Sequence, residues 1–220
     1  MEKSILRDRP NLIGVIHTAE GFLEAGIPGL DAVEVRVDAL PDPPSLRQVA
    51  GLPVAVIVTV RHSDEGGLKA MSEEERFARY FALLPSASAI DLEMRSAERM
   101  RDLIGAVRRE GKTLILSYHD FEATPPLARL QEVCARMRGL GADIVKVATR
   151  TEKPGEVATL LALLENSSDP LAVMGMGALG RASRLLFAKA GSALNYGWLD
   201  KPQVPGQWSA KQFIELLALA

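Results

Sequence analysis

TLILSYHDFEATPPLARLQEVCARMRGLGADIVKVATR, residues 113–150, places two apolar segments on either side of an amphipathic one. The outer segments, 113–120 and 143–150, are almost continuously apolar, which is typical of parallel strands covered on both faces. The middle segment has a single apolar stripe, as an amphipathic helix requires, formed by Leu127, Leu130, Cys134 and Met137. The stretch therefore predicts a strand–helix–strand unit, with Cys134 in the helix core and not a reactive thiol.

Similar strand-like runs recur along the chain at even spacing. The eight runs cover 11–18, 32–39, 54–61, 89–94, 113–120, 143–150, 171–176 and 193–199. Helical patterns lie between them and are shortest after the first, second and seventh runs. Eight strands, each followed by a helix, predict a (β/α)8 TIM barrel at this chain length. An open doubly wound sheet rarely has so many evenly spaced strands. We expect residues 1–220 to form one barrel domain.

Composition and charge restrict the function. The 220 residues carry a formal net charge of −2, so no overall electrostatic attraction to nucleic acid or anionic membrane is expected. One cysteine cannot form an internal disulfide, and no Cys/His cluster suggests a metal. The charged N-terminus is unlike a signal peptide, and the longest apolar runs are too short to span a bilayer. These features predict a soluble cytoplasmic protein without a metal.

Polar residues cluster where the predicted strands end, which is where (β/α)8 barrels place reactive groups. They are Glu34, Arg36 and Asp38 in EVRVD, Arg61 and Glu65 after the third run, His119 in SYHD, Lys146 in DIVKVATR, and Arg184. Each has a simpler interpretation, such as a structural ion pair, a strand-end histidine or a solvated loop carboxylate. Their common position at one end of the barrel favours a shared site.

Lys146 has two interpretations. It lies on an exposed edge strand and faces water, or it is a buried amine made reactive by its surroundings. A neutral lysine amine condenses with a ketone to an imine, His119 is suited to move a proton, and Glu65 could orient the imidazole. We expect Lys146 in a desolvated, positively biased pocket that favours the neutral amine.

The arginines indicate the substrate. Arg36, Arg61 and Arg184 predict an anionic, oxygen-rich molecule, with Arg184 favoured for gripping a carboxylate or phosphate. GMGALG (175–180) matches the dinucleotide pattern G-x-G-x-x-G, but it falls at the seventh strand with about forty residues left. We interpret its glycines as letting the backbone approach an anion near a helix N-terminus.

Six motifs in order along the chain carry a family resemblance: EVRVD, TVRHSDEGG, SYHDFEATP, GADIVKVA, GRASRL and VPGQ. From residue 34 to residue 207 they resemble the type I 3-dehydroquinate dehydratases, Schiff-base hydro-lyases of the shikimate pathway to chorismate and the aromatic amino acids. The resemblance implies a barrel enzyme that converts 3-dehydroquinate to 3-dehydroshikimate and water. It implies no cofactor, and a homodimer, as is frequent in the family.

The resemblance also implies residue roles. Lys146 would form the imine, His119 would take the proton from the adjacent carbon and then protonate the departing hydroxyl, and Glu65 would pair with His119. The substrate carboxylate would bind Arg184, and its hydroxyls would be held by Glu34, Arg36, Arg61 and Gln207. Residues 201–207 would form a mobile lid. The family often has a small hydroxyl residue where this chain has Gln203, which can still donate and accept hydrogen bonds there.

Two other functions fit the same residues. An aldolase on this fold would cleave a carbon–carbon bond through the same imine, but it should supply a fuller phosphate site near strands seven and eight. A barrel that only binds an acidic metabolite would not need Lys146, His119 and Glu65 together.

Overall fold

A computed structural model describes residues 10–203 and 206–219. Its eight strands are all parallel to their neighbours, and each falls inside one of the eight runs recognised in the sequence. Their bounds are β1 Asn11–Ile16, β2 Ala32–Arg36, β3 Ala55–Thr59, β4 Ala89–Glu93, β5 Thr113–Asp120, β6 Ile144–Arg150, β7 Leu171–Met176 and β8 Leu194–Trp198. Five strands, β1 to β4 and β8, end one to three residues before their runs, whereas β5, β6 and β7 end where their runs end.

The strands curl into a barrel. Their order is β7-β6-β5-β4-β3-β2-β1-β8, so each strand lies beside its sequence neighbour and β8 lies beside β1. The two end strands approach each other through Ala193 N, which donates to Leu171 O at 2.9 Å. Val173 N also donates to Ser192 Oγ at 3.0 Å. The predicted (β/α)8 barrel is therefore confirmed.

Seven α-helices surround the strands in the described part of the chain. They are α1 Leu46–Ala50, α2 Glu73–Leu83, α3 Arg101–Arg109, α4 Leu127–Gly139, α5 Pro154–Glu165, α6 Gly180–Lys189 and α7 Ala210–Leu219. The prediction that every strand is followed by a helix is wrong for β1, after which the described residues form only a short 3-10 helix, Glu20–Phe22. Glycines and a proline interrupt residues 18–31, and these are the weakest helix formers.

The barrel interior consists of layers of side chains from alternate strands, as is usual for this fold. The layers nearer the N-terminal ends of the strands are apolar and include Ile13, Ile57, Ile115 and Ile144, all fully buried. The layer above them is polar. The strand register assigns to it Glu34 of β2, Asp91 of β4, Lys146 of β6 and Tyr196 of β8. We call these four residues the polar layer, and it forms the floor of the site.

Candidate active site

A cavity opens at the C-terminal ends of the strands, above the polar layer. Nine of the ten residues singled out from the sequence line it: Glu34, Arg36, Arg61, Glu65, His119, Lys146, Arg184, Gln203 and Gln207. The tenth, Asp38, lies behind them and pairs with Arg36. The nine come from β2, β5 and β6, from the segment after β3, from α6 and from the segment after β8. Because parallel strands all end at the same rim of the barrel, residues that are far apart in the chain meet in one place.

Lys146 lies in the barrel interior and not on a solvent-facing edge. Its strand β6 lies between β5 and β7, and only 4% of the residue is exposed. Nζ lies 2.6 Å from Asp91 Oδ2, 3.2 Å from Glu34 Oε1 and 4.1 Å from the centroid of the Tyr196 ring. The expected desolvation is present. The expected excess of positive charge around the amine is wrong, because the nearest charged groups are the carboxylates of Glu34 and Asp91.

His119 and Glu65 form a hydrogen-bonded pair beside Lys146. The imidazole Nδ1 lies 2.9 Å from Glu65 Oε2, and the same oxygen accepts from the backbone N–H of His119 at 3.1 Å. Burial lowers the pKa of His119 well below its ordinary value, and the positive charges of Arg61 and Lys146 lower it further. Burial and the charge of Glu93 raise the pKa of Glu65 to about 7. Both shifts favour the uncharged forms, so the imidazole is neutral near pH 7.

The loop after β3 holds Glu65 in place, although a carboxylate in a glycine-rich loop would ordinarily be solvated. Glu65 ends a short 3-10 helix, Ser63–Glu65, and Gly66 follows it with φ +85°, a conformation that glycine adopts without strain. Arg36 donates to Gly66 O at 3.2 Å. Glu93 Oε1 accepts from His62 N at 3.1 Å. These contacts bury Glu65 to 7% exposure.

Two of the three arginines are neutralised by carboxylates. Arg36 makes a bidentate contact with Asp38, with Nε to Oδ1 at 3.0 Å and NH2 to Oδ2 at 2.8 Å. Arg61 makes a similar contact with Asp91, at 3.2 and 3.0 Å, and a further ion pair with Glu93 at 2.9 Å. Their positive charge is therefore already compensated within the protein, which leaves them as donors to neutral oxygens.

Arg184 is different, because no Asp or Glu within residues 10–203 and 206–219 pairs with it. It is 5% exposed, and its Nε and NH1 donate to the backbone oxygens of Gly175 and Tyr196 at 3.1 and 3.4 Å. Burial lowers its pKa to about 10. A buried guanidinium without a counter-ion in the wall of a cavity is suited to bind an anion.

The segment after β8 reaches over the cavity. Gln203 Oε1 accepts from Arg36 NH1 at 3.0 Å, and Gln207 Oε1 accepts from the backbone N–H of Gln203 at 3.0 Å. The longer side chain of Gln203, compared with serine or threonine, is what lets it reach the guanidinium. Residues 204 and 205 of the expected lid, 201–207, lie outside the described residues.

The glycines of GMGALG serve close packing within the protein. A Cβ on Gly175 would lie 2.1 Å from Ser183 Oγ and 2.6 Å from Thr151 Oγ1, so no larger residue fits at this end of β7. Gly175 O also accepts from Arg184 Nε. We expected this backbone to approach an anion. At Gly175 it contacts the side chain of Arg184, which carries the positive charge.

Sequence reasoning missed three buried residues that surround Lys146 and Arg61. Asp91 and Glu93 are fully buried, and Tyr196 is 4% exposed. The signal for the two acids was available, since AIDLEM alternates carboxylates with apolar residues in the same way as EVRVD. Tyr196 gave no such signal, because a tyrosine in an apolar strand is ordinary core.

The described residues lack two other kinds of feature. No three His, Cys, Asp or Glu side chains within residues 10–203 and 206–219 are arranged to hold a metal ion. In the same residues, every helix is too short or too polar to cross a membrane.

Comparison with known proteins identifies the family. The family model described as Type I 3-dehydroquinase matches residues 18–220. A 3-dehydroquinate dehydratase from Pyrococcus abyssi is 34% identical over 86% of this chain and 87% of its own length. One from Desulfotalea psychrophila is 36% identical over 80% of both chains.

Solved structures agree with the sequence matches. The 3-dehydroquinate dehydratase of Aquifex aeolicus superposes with a TM-score of 0.81 at 30% identity, over 94% of this chain and 96% of its own. The type I 3-dehydroquinate dehydratase of Clostridium difficile, solved with covalently modified comenic acid, superposes with a TM-score of 0.85 at 25% identity, over 97% and 93%. The chain therefore belongs to the type I 3-dehydroquinase family.

Proposed function

We propose that this chain dehydrates 3-dehydroquinate to 3-dehydroshikimate through an imine on Lys146, with His119 as general acid and base. Membership of the type I 3-dehydroquinase family makes the chain a hydro-lyase of the shikimate pathway. One observation carries the mechanism: a buried lysine, a histidine–glutamate pair and an arginine without a counter-ion line a single cavity.

Imine formation suits the surroundings of Lys146. In the free enzyme, Asp91 and Glu34 hold the amine in the polar layer at 2.6 and 3.2 Å. The protonated imine is again a cation at the same position, so the same carboxylates stabilise it without moving. The iminium withdraws electrons and makes the hydrogen on the adjacent carbon acidic.

His119 then moves the proton. Its Nδ1 faces Glu65, so the neutral imidazole donates its N–H there and presents Nε2 to the substrate as a base. This tautomer is an assignment from the hydrogen-bond pattern. Nε2 takes the proton from the carbon next to the imine and delivers a proton to the departing hydroxyl, which leaves as water. Hydrolysis of the product imine restores the Lys146 amine.

The remaining residues of the cavity bind and orient the substrate. Arg184 takes its carboxylate, because this guanidinium has no acidic partner in the described residues. The hydroxyls are held by Glu34, Arg36, Arg61, Gln203 and Gln207. Gln203 and Gln207 act from the segment that reaches over the cavity, where closure would exclude water during the imine steps.

Borohydride trapping tests the mechanism. The protein is mixed with 3-dehydroquinate, reduced, weighed intact and mapped by peptide, and we expect one stable adduct on Lys146. Lys146→Ala should give no adduct and no turnover, whereas Lys211→Ala, on the exposed side of α7, should behave as wild type. Full turnover by Lys146→Ala, or an adduct on another lysine, would refute the imine on Lys146.

The role of His119 has its own test. His119→Ala should still form the imine but process it slowly, so the trapped fraction at steady state should rise above that of wild type. A His119→Ala protein that forms no adduct would show that the histidine is needed before the proposed proton transfer.

We also propose that the chain works as a homodimer, as the resemblance to the family implies, and that it is cytoplasmic, as its charged N-terminus and short apolar runs predict. Sedimentation equilibrium of the purified protein would test the first part, and a mass equal to the 23.8 kDa chain would contradict it.

A further inference from the structure

Tyr196, the fourth member of the polar layer, has no role in the proposed imine mechanism. Tyr196 lines the cavity, is 4% exposed, and lies with its ring 4.1 Å from Lys146 Nζ. Its hydroxyl is buried and has no hydrogen-bond partner within the described residues 10–203 and 206–219. A buried tyrosine hydroxyl ordinarily has a partner, so one without a partner in the wall of a ligand cavity indicates a group kept for the ligand.

The other members of the polar layer cannot supply what this hydroxyl supplies. Glu34 and Asp91 are hydrogen-bond acceptors toward the Lys146 ammonium, at 3.2 and 2.6 Å. Lys146 itself becomes the nucleophile. Tyr196 is therefore the neutral donor of the layer. Burial and the nearby charges of Glu34 and Asp91 raise the pKa of its phenol well above its ordinary value, which keeps the proton on the oxygen.

The position of the ring decides which substrate atom it serves. When the amine attacks the substrate ketone, the ketone oxygen lies next to Nζ. The centroid of the Tyr196 ring lies 4.1 Å from Nζ. The phenol oxygen is attached to this ring, so it lies close to the position of the ketone oxygen. We propose that the Tyr196 hydroxyl donates a hydrogen bond to the substrate ketone oxygen and promotes imine formation on Lys146. The inference rests on the imine mechanism given under the proposed function.

Imine formation on Lys146 does not consume the proton of the Tyr196 hydroxyl. The amine nitrogen bonds to the ketone carbon, and the carbon–oxygen electron pair moves to oxygen. Overall, the Lys146 ammonium loses two protons and gains the double bond to carbon, and the oxygen gains two protons and leaves as water. The phenol stabilises the negative charge that develops on oxygen and keeps its own proton, like a donor in an oxyanion hole.

Tyr196→Phe removes the hydroxyl and keeps the ring over Nζ. We expect the rate of adduct formation, followed by rapid mixing, borohydride quench and intact mass, to fall about 100-fold, the lower end of the range for the loss of one oxyanion donor. Thermal stability should not fall, because the hydroxyl has no partner to lose. Tyr118→Phe is the matched control, since that hydroxyl bonds Asp120 at 3.2 Å and the ring packs in the core outside the barrel.

A second measurement separates this role from a structural one. With substrate deuterated at the carbon that loses its proton, the isotope effect on kcat/KM should shrink in Tyr196→Phe, because imine formation then limits the rate. An adduct rate within twofold of wild type would overturn the inference while the imine mechanism stands. If wild type itself forms no adduct, the mechanism fails, and the assignment of Tyr196 fails with it.

Discussion

Replacing Arg184 by methionine should make the protein more stable and nearly inactive. The guanidinium is 5% exposed and has no acidic partner among the described residues, so the folded state holds a charge that water would solvate better. Methionine matches the length of the arginine stem and needs no hydrogen bonds. The two effects have opposite signs because the same uncompensated charge that destabilises the fold is the group proposed to bind substrate.

The size of the stability effect follows from the pKa. Burial lowers the pKa of Arg184 from 12.5 to about 10, which corresponds to roughly 3 kcal/mol against the charged form in the folded state. Below pH 10 the residue is charged in both states, so the whole of this cost opposes folding. The substitution also removes two hydrogen bonds to carbonyls, at about 1 kcal/mol each. A net gain of about 1 kcal/mol remains, or a rise in Tm of ~2–4 °C for a chain of this size.

The loss of activity should be much larger. A bidentate contact between Arg184 and the substrate carboxylate consists of two charge-assisted hydrogen bonds. At ~2 kcal/mol each, their removal costs about 4 kcal/mol, or roughly 1,000-fold in kcat/KM. The assays are chemical denaturation without substrate and initial rates of 3-dehydroshikimate formation.

Arg76→Met is the matched control for stability. Arg76 is as deeply buried as Arg184, but it pairs with Glu73 at 2.7 Å and with the fully buried Glu93. Its removal leaves Glu93 with less compensation and should lower the free energy of unfolding by ~3–5 kcal/mol. If Arg184→Met is destabilised as much as Arg76→Met, the charge of Arg184 is compensated in the free protein and the reasoning fails. Activity within tenfold of wild type would refute the carboxylate contact.

Three further predictions concern the surroundings of the site. In wild type, kcat/KM should fall as pH drops through about 7, because protonation of Glu65 removes the negative charge that stabilises the His119 imidazolium, although the carboxyl can still accept the bond from the His119 N–H. Glu65→Gln should lose this acidic limb of the pH–rate profile. Its activity should stay within about tenfold of wild type, since the amide oxygen still accepts the bond from the His119 N–H. An unchanged limb would assign the titration to another group. Glu93→Gln should move the limb to lower pH, because the charge of Glu93 raises the pKa of Glu65, and a limb that stays in place would contradict this coupling. Gln203→Ser should raise KM about fivefold, since serine cannot reach Arg36 NH1 and a hydrogen bond of ~1 kcal/mol is lost. An unchanged KM would show that this contact does not contribute to closing the segment over the cavity.

The sequence by itself determined the barrel and most of the charged residues that line its cavity. Runs of apolar residues at even spacing, several with a polar residue at or near their end, leave little choice of fold, because parallel strands must be covered on both faces. The same topology makes strand ends meet. His119 and Lys146 could therefore be assigned to one site from their positions in SYHD and DIVKVATR, without any distance.

Local pattern was less informative where an element is short. The segment after β1 was expected to be a short helix, but it contains glycines and a proline, and its described residues form only the 3-10 helix Glu20–Phe22. Cys134 and Met137 were placed correctly in a helix core, because a stripe of side chains 3.6 residues apart has one buried face.

Only the tertiary structure decided which charges compensate each other. The sequence favoured Arg184 for binding an anion but did not show the charge state of any of the three arginines. In the structure Asp38 and Asp91 neutralise Arg36 and Arg61, whereas Arg184 is buried without an acidic partner among the described residues. Partner choice depends on the register between strands and on loops such as 61–66, which bring together side chains far apart in the chain. The sequence specifies which groups are present, and the fold specifies the distances between them, on which every electrostatic energy depends.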